Sequence, residues 1–221
     1  MLVILITTTA FAWPLFSVQA AMEDLLPYGA GVGEQSLGLS SGFNDRAHLK
    51  FPKTQCHGLT VYLKGCIVAK GPTCFGSTDF WNYVNQDTST GTVYGRFVED
   101  GDSQTLQKLY SFIGKEYPPS VKPDWIYLAT WEKMGDDSGA TDTFQTVLMK
   151  EGDMNHVVYI VGNVERSVAD NAGSVFTEAT FETTLISERL KFEQQQYPYN
   201  TNTGHTGVYY LTEENGVVTV P

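Results

Sequence analysis

The sequence predicts a mainly β, single-domain fold of antiparallel sheet, a sandwich or partly open barrel, with one packed α-helix near residues 103–117. Three observations carry this. Short apolar segments recur along the chain between turns rich in Gly, Asp and Asn, the pattern of strands joined by tight connections. Only one stretch shows a clear helical spacing of apolar residues. No internal repeat and no long linker divides the chain after its N-terminal segment.

That first segment reads as a secretory signal over residues 1–20. No charged side chain occurs from Met1 to Gln19, Leu2–Ile6 and Ala10–Phe16 are mostly apolar, and Val18-Gln19-Ala20 has the small residues expected before a cleavage point. A retained anchor is the less favoured alternative, because the apolar run holds Pro14 and falls short of the ~20 residues that span a membrane. Cleavage after Ala20 leaves a domain at 21–221, expected to be secreted and extracellular, with no membrane insertion.

The elements follow in order. Leu59–Leu63 alternates, Lys64-Gly65 can form a two-residue turn, and Cys66–Ala69 resumes as a strand, so a hairpin is expected. With Asp102 or Ser103 as N-cap, Leu106, Leu109, Tyr110 and Ile113 fall at i, i+3, i+4 and i+7, one stripe able to lie on a sheet. Gly114 and Pro118-Pro119 stop that helix. A second helical turn at 186–196 is left open. Trp125–Trp131 is apolar on both faces, as in a strand inside a core, and Thr143–Met149 and His156–Val161 complete an antiparallel meander. Gly207–Thr212 and Val217–Val220 flank Asn215-Gly216, a strong hairpin signal.

Composition limits the function. There are 14 Lys and Arg against 25 Asp and Glu, a net charge of −11, a field that repels nucleic-acid backbones. Cys56, Cys66 and Cys74 lie in one short window, and in an oxidising compartment two of them are expected to pair. Three pairings are open. Cys66–Cys74 closes the shortest loop, and the third cysteine is either buried or free to bridge another chain.

Five landmarks occur in order: Leu26–Gly33 followed by Glu34 and Leu37; Asp79-Phe-Trp-Asn-Tyr-Val-Asn85, with Trp81; Gly91-Thr-Val-Tyr94; the helix leading to Tyr117-Pro118; and Trp125 to Trp131 with Thr130, followed by Thr143-Phe144-Gln145. This order of segments resembles the nidogen-like (NIDO) domain found in nidogen and alpha-tectorin. The resemblance spans about Leu26 to Glu213. Where the family has Asp in Ala-Asp-Val-Asp, this chain has Asn82 and Asn85. The resemblance implies a non-catalytic module involved in cell-matrix adhesion, with extracellular matrix or cell-surface proteins as partners and no resident cofactor.

Other residues bear on binding and catalysis. The run Glu132–Asp142 holds Glu132, Asp136, Asp137 and Asp142, and Glu99-Asp-Gly-Asp102 forms a second acidic turn. Oxygen-rich loops can take calcium weakly, with Asp136, Asp137 and Asp142 the candidates, though neither has the ligand spacing of an EF-hand. A secreted hydrolase of matrix carbohydrate using paired carboxylates is the alternative reading. No G-x-S-x-G occurs, and His48, His57, His156 and His205 lack the H-x-x-x-H spacing of a zinc site. Trp81, Trp125 and Trp131 are expected in the core, whereas Tyr197, Tyr199, Tyr209 and Tyr210, near polar C-terminal segments, suggest a partner face.

Overall fold

In the computed structural model the described residues are 25–39, 46–50, 58–63, 65–70, 79–83, 90–120, 122–135, 139–165, 173–177, 183–185, 201–214 and 217–221. Among them are twelve strands and one α-helix. The strands are β1 (Arg46–Leu49), β2 (Gly58–Tyr62), β3 (Cys66–Lys70), β4 (Asp79–Tyr83), β5 (Thr90–Phe97), β6 (Trp125–Gly135), β7 (Thr141–Glu151), β8 (Met154–Val164), β9 (Gly173–Thr177), β10 (Thr183–Leu185), β11 (Val208–Glu214) and β12 (Val217–Thr219); the helix, α1, spans Ser103–Phe112. Two six-stranded sheets result, ordered β1-β2-β3-β4-β9-β10 and β12-β11-β8-β7-β6-β5. All pairings are antiparallel, as the predicted hairpins and meander require.

The second sheet, the larger because its strands are longer, is covered on both faces. On one side Val93, Tyr127, Trp131, Phe144, Leu148, Tyr159 and Tyr209 form a core with Leu59, Val61, Leu63 and Ile67 of the smaller sheet. On the other, Ile126, Leu128, Val147, Val158, Ile160 and Val208 pack with Leu106, Leu109, Phe112 and Ile113 of the helix region and with Leu25 and Leu26. The architecture is a sandwich with a third layer. This accounts for the absence of apolar–polar alternation in Trp125–Trp131, every residue of which is buried.

The helix starts where its cap predicts. Asp102 accepts from the Thr105 backbone N–H at 3.1 Å, and Leu106 and Leu109 are buried. It ends at Phe112 and does not reach 117: Ile113 leaves helical geometry, and the Lys115 N–H turns back to the Tyr110 carbonyl at 3.0 Å. The β2–β3 connection also differs from the two-residue turn expected at Lys64-Gly65. Val61 pairs with Ile67, and Gly65 donates to the Tyr62 carbonyl at 3.2 Å, so Leu63 joins the turn. The segment 186–196 lies outside the described residues.

Two glycines of β5 are required by close approach. Gly91 has φ 118°, and a Cβ there would lie 2.6 Å from the Met134 sulfur and 2.9 Å from the Glu132 carbonyl. It faces a register shift in β6 where Lys133 takes φ 51° and donates its N–H to Thr143 Oγ1 at 3.0 Å, a bulge. At Gly95 a Cβ would fall 2.1 Å from the Tyr127 hydroxyl, an oxygen that is buried and lacks a hydrogen-bond partner. Gly95→Ala is therefore expected to cost about 2–3 kcal/mol through overpacking. Tyr127→Phe alone is expected to be near neutral and to restore most of the loss when combined, a coupling of about 1–2 kcal/mol. Urea unfolding of the four-member cycle tests this, and additive costs would contradict it.

Candidate functional site

The motif residues of β6 and β7 sit directly opposite one another, Thr130 across from Gln145 and Trp131 across from Phe144. Because strand side chains alternate, the two pairs face opposite layers. Trp131, fully buried, stacks on Phe144 with ring centroids 5.2 Å apart and donates its indole N–H to the Tyr62 carbonyl of the smaller sheet at 3.0 Å. Gln145, also fully buried, faces the N-terminal segment. Its amide oxygen accepts from Leu26 N–H at 2.8 Å, and its nitrogen donates to the Leu26 carbonyl and to Thr130 Oγ1, each at 3.0 Å. The side chain thus replaces a neighbouring strand for one residue.

Residues 25–39 form a strap that this amide and two cations fasten. Lys108 donates to the Leu25 carbonyl at 2.9 Å, and Arg96 to the Pro27 carbonyl at 3.2 Å. Arg96 also donates to Thr105 Oγ1 at 3.0 Å and pairs with Asp102 at 2.7 Å, joining strap, β5 and helix N-terminus. Burial works against the Asp102 carboxylate, but its bonds from Thr105 and Arg96 outweigh it and hold the carboxyl below the usual range. The strap then meets the β5 edge, where Leu37 N–H donates to the Val93 carbonyl at 2.8 Å.

Within the strap Glu34 is 5% exposed. One carboxylate oxygen accepts from Gly29 N–H at 2.7 Å, while the other has no partner. Burial raises its pKa to about 6, against the lowering effects of that bond and of Arg96. A raised acid keeps its proton in the fold while the unfolded chain releases it, so this group lowers stability progressively from pH ~4.5 to 6 and the full cost persists above. Glu34→Gln is expected to leave stability unchanged near pH 4 and to raise it by about 1–2 kcal/mol at pH 7. Urea midpoints at the two pH values check this; an equal effect at both would contradict it.

A second buried polar line crosses β8. His156 accepts the Tyr210 hydroxyl at Nδ1, 2.7 Å away, and its Nε2 lies 3.1 Å from Glu151, which pairs with Lys115 at 2.7 Å. The side chain of His156 is wholly buried. Burial, with Lys115 nearby, lowers its pKa to about 4 despite Glu151, so near neutral pH it is an uncharged donor to Glu151 and acceptor from Tyr210. These contacts give the histidine a structural role. Its contribution to stability runs opposite to that of Glu34, present above pH ~6.5 and lost as pH falls toward 4.

Several expected site residues are placed differently. Tyr209 and Tyr210 are buried at 0% and 7% exposure on opposite faces of the larger sheet, so neither presents a partner face. The edge of β11 beside Tyr210 is occupied as well. Asn202 accepts the Tyr210 N–H at 2.8 Å and donates to its carbonyl at 2.6 Å. Tyr197 and Tyr199 lie outside the described residues. The acidic run Glu132–Asp142 is not one loop: Glu132 is in β6 and accepts from the Tyr28 hydroxyl at 3.2 Å. Asp142 is in β7, fully buried, and accepts from the Glu165 N–H at 3.2 Å. Asp136 and Asp137 lie outside the described residues, among which no cluster of three potential metal ligands occurs.

Trp125 is buried as expected, and Trp81 lies in β4 opposite Cys66. Cys66 is buried; Cys56 and Cys74, and hence the pairing, lie outside the described residues. No helix among the described residues is long and apolar enough to cross a membrane. Sequence reasoning singled out Gln145 and Glu34 only as landmarks of the resemblance, and missed the strap, the part they play in it and its other fasteners, Arg96 and Lys108. The available signal was a glutamine inside an otherwise apolar strand.

The model of one protein family, described as the nidogen-like domain, matches residues 77–212. That span takes in β4 through most of β11 and includes Thr130, Trp131, Phe144 and Gln145. No curated protein and no solved structure matches the chain.

Proposed function

Because the chain belongs to the nidogen-like domain family, whose domains are found in extracellular matrix proteins, we propose that it is a secreted, non-catalytic binding module that takes part in cell-matrix adhesion. One observation supports this above the others. The family's most specific residues are spent internally: Trp131 and Phe144 join the two sheets, and Thr130 and Gln145 fasten the strap. The shared framework is therefore a scaffold, and recognition falls to its exposed surfaces. Its partners are matrix or cell-surface macromolecules, reached after removal of residues 1–20.

The test is expression of the full chain, tagged at its C-terminus, in matrix-depositing cells, followed by partition between medium, cell layer and detergent-extracted matrix. The expected result is saturable recovery from matrix, with the N-terminus at or near Ala21. Recovery only inside cells, or only from the medium, overturns the reading. Parallel extractions with calcium and with chelator show whether Asp136, Asp137 and Asp142 contribute.

A further inference from the structure

The charge of this protein is unevenly distributed. Between Asp45 and Asp79 there is no acidic residue, and residues 46–70 carry Arg46, Lys50, Lys53, Lys64 and Lys70 with His48 and His57. The other 196 residues hold nine Lys and Arg and all 25 acids, a net −16. That cationic stretch builds β1, β2 and β3, one edge of the smaller sheet.

Strand geometry arranges part of it. In β1, Ala47 and Leu49 pack against the sandwich core, while Arg46 and His48 are exposed. Lys50 follows as the next exposed position of the alternation. Three cationic or titratable side chains thus recur every second residue along an edge strand, about 7 Å apart. Beside them are groups suited to sugar. The Arg46 guanidinium lies 5.9 Å from the centre of the Tyr62 ring, and the Thr60 hydroxyl is 2.9 Å from His48 Nδ1. Asp45 immediately precedes the row and no further acid follows until Asp79, and fields between exposed charges are screened within about 8 Å at physiological salt.

We propose that the outer face of β1 and β2, through Arg46, His48 and Lys50 flanked by Thr60 and Tyr62, binds a sulfated polysaccharide. An extended polyanion presents charges at repeated intervals to a straight row of cations, Arg offers a planar fork to an oxyanion, and hydroxyl and aromatic neighbours contact sugar. The choice of a glycan over a polynucleotide rests on the extracellular reading given above.

Immobilised heparin, at about 0.15 M salt, is the probe for the secreted chain. The expected result is saturable retention that weakens with salt, log affinity against log salt falling with a slope of about −1.5 to −2 for the two engaged cations Arg46 and Lys50. Arg46→Ala/Lys50→Ala should weaken binding at least tenfold. Lys122→Glu, which changes net charge equally at an exposed site outside the smaller sheet, paired with Asp100, should leave it within twofold. Circular dichroism of each variant reports folding.

Absence of retention, equal loss in both variants, or equal competition by desulfated heparin or by single-stranded DNA would overturn the proposal. Failure here is separable from failure of the adhesion reading. A chain that enters matrix equally well after enzymatic removal of sulfated glycans keeps that function and loses this site.

Discussion

Replacing Gln145 by Leu is expected to lower stability by about 3–4 kcal/mol with little change in side-chain volume. The substitution removes the acceptor of Leu26 N–H and the donor to both the Leu26 carbonyl and Thr130 Oγ1. Each buried polar group left without a partner costs about 1–3 kcal/mol, and the apolar replacement offsets part of the total. Gln145→Glu separates geometry from charge. A carboxylate can still accept from Leu26 N–H, but when ionised it opposes the Leu26 carbonyl with a second acceptor. Its cost should therefore be smaller at pH 4 than at pH 7. Urea unfolding followed by tryptophan fluorescence provides both numbers, and a cost below about 1 kcal/mol for the leucine variant would show that the strap is held elsewhere.

The second large effect is expected at Trp131. Trp131→Ala removes the largest of the fully buried side chains, its stack on Phe144 and the bond that ties β6 to Tyr62 of the smaller sheet. Large aromatic-to-alanine changes in cores cost about 3–5 kcal/mol, and this site also loses the indole bond to the Tyr62 carbonyl, which keeps the Gly65 N–H as a donor, placing the expectation at the upper end. Trp131→Phe keeps an aromatic ring but not the indole N–H, and should cost about 2 kcal/mol. Against a typical total of about 5–15 kcal/mol, the alanine variant is expected to accumulate as folded protein in much reduced amount. A loss below about 2 kcal/mol for alanine would mean that the two sheets are not joined through this residue.

The parts of this fold that were legible share a physical cause. The meander of β6, β7 and β8 and the helix are specified by local apolar spacing and by caps such as Asp102, which act within a few residues. Both-face burial of Trp125–Trp131 was legible for the same reason, since a strand lacking alternation needs cover on two sides. Tyr209 and Tyr210 were misplaced because the polar segments around them describe their neighbours in sequence. Their neighbours in space are β8 and the Asn202 amide. The acidic run was misread similarly: β6 extends through its bulge to Gly135, so Glu132 and Asp142 belong to strands. Glu34 carries no local mark, because its raised pKa arises from burial, which the folded chain alone supplies. The smaller sheet's cationic row was visible as composition, but only β1's position at a sheet edge gives it a shared face.

The contacts that fasten the strap also impose an order on biosynthesis. Leu26 meets Gln145 at a separation of 119 residues, and at about 5–20 residues per second of synthesis that interval is roughly 6–24 s. The earliest-made part of the domain therefore emerges with no surface to receive it, its apolar Leu25 and Leu26 uncovered until the seventh strand has been translated. For that interval the nascent chain must rely on whatever shields apolar segments in its surroundings. The closing of the strap reports that translation has passed the centre of the larger sheet.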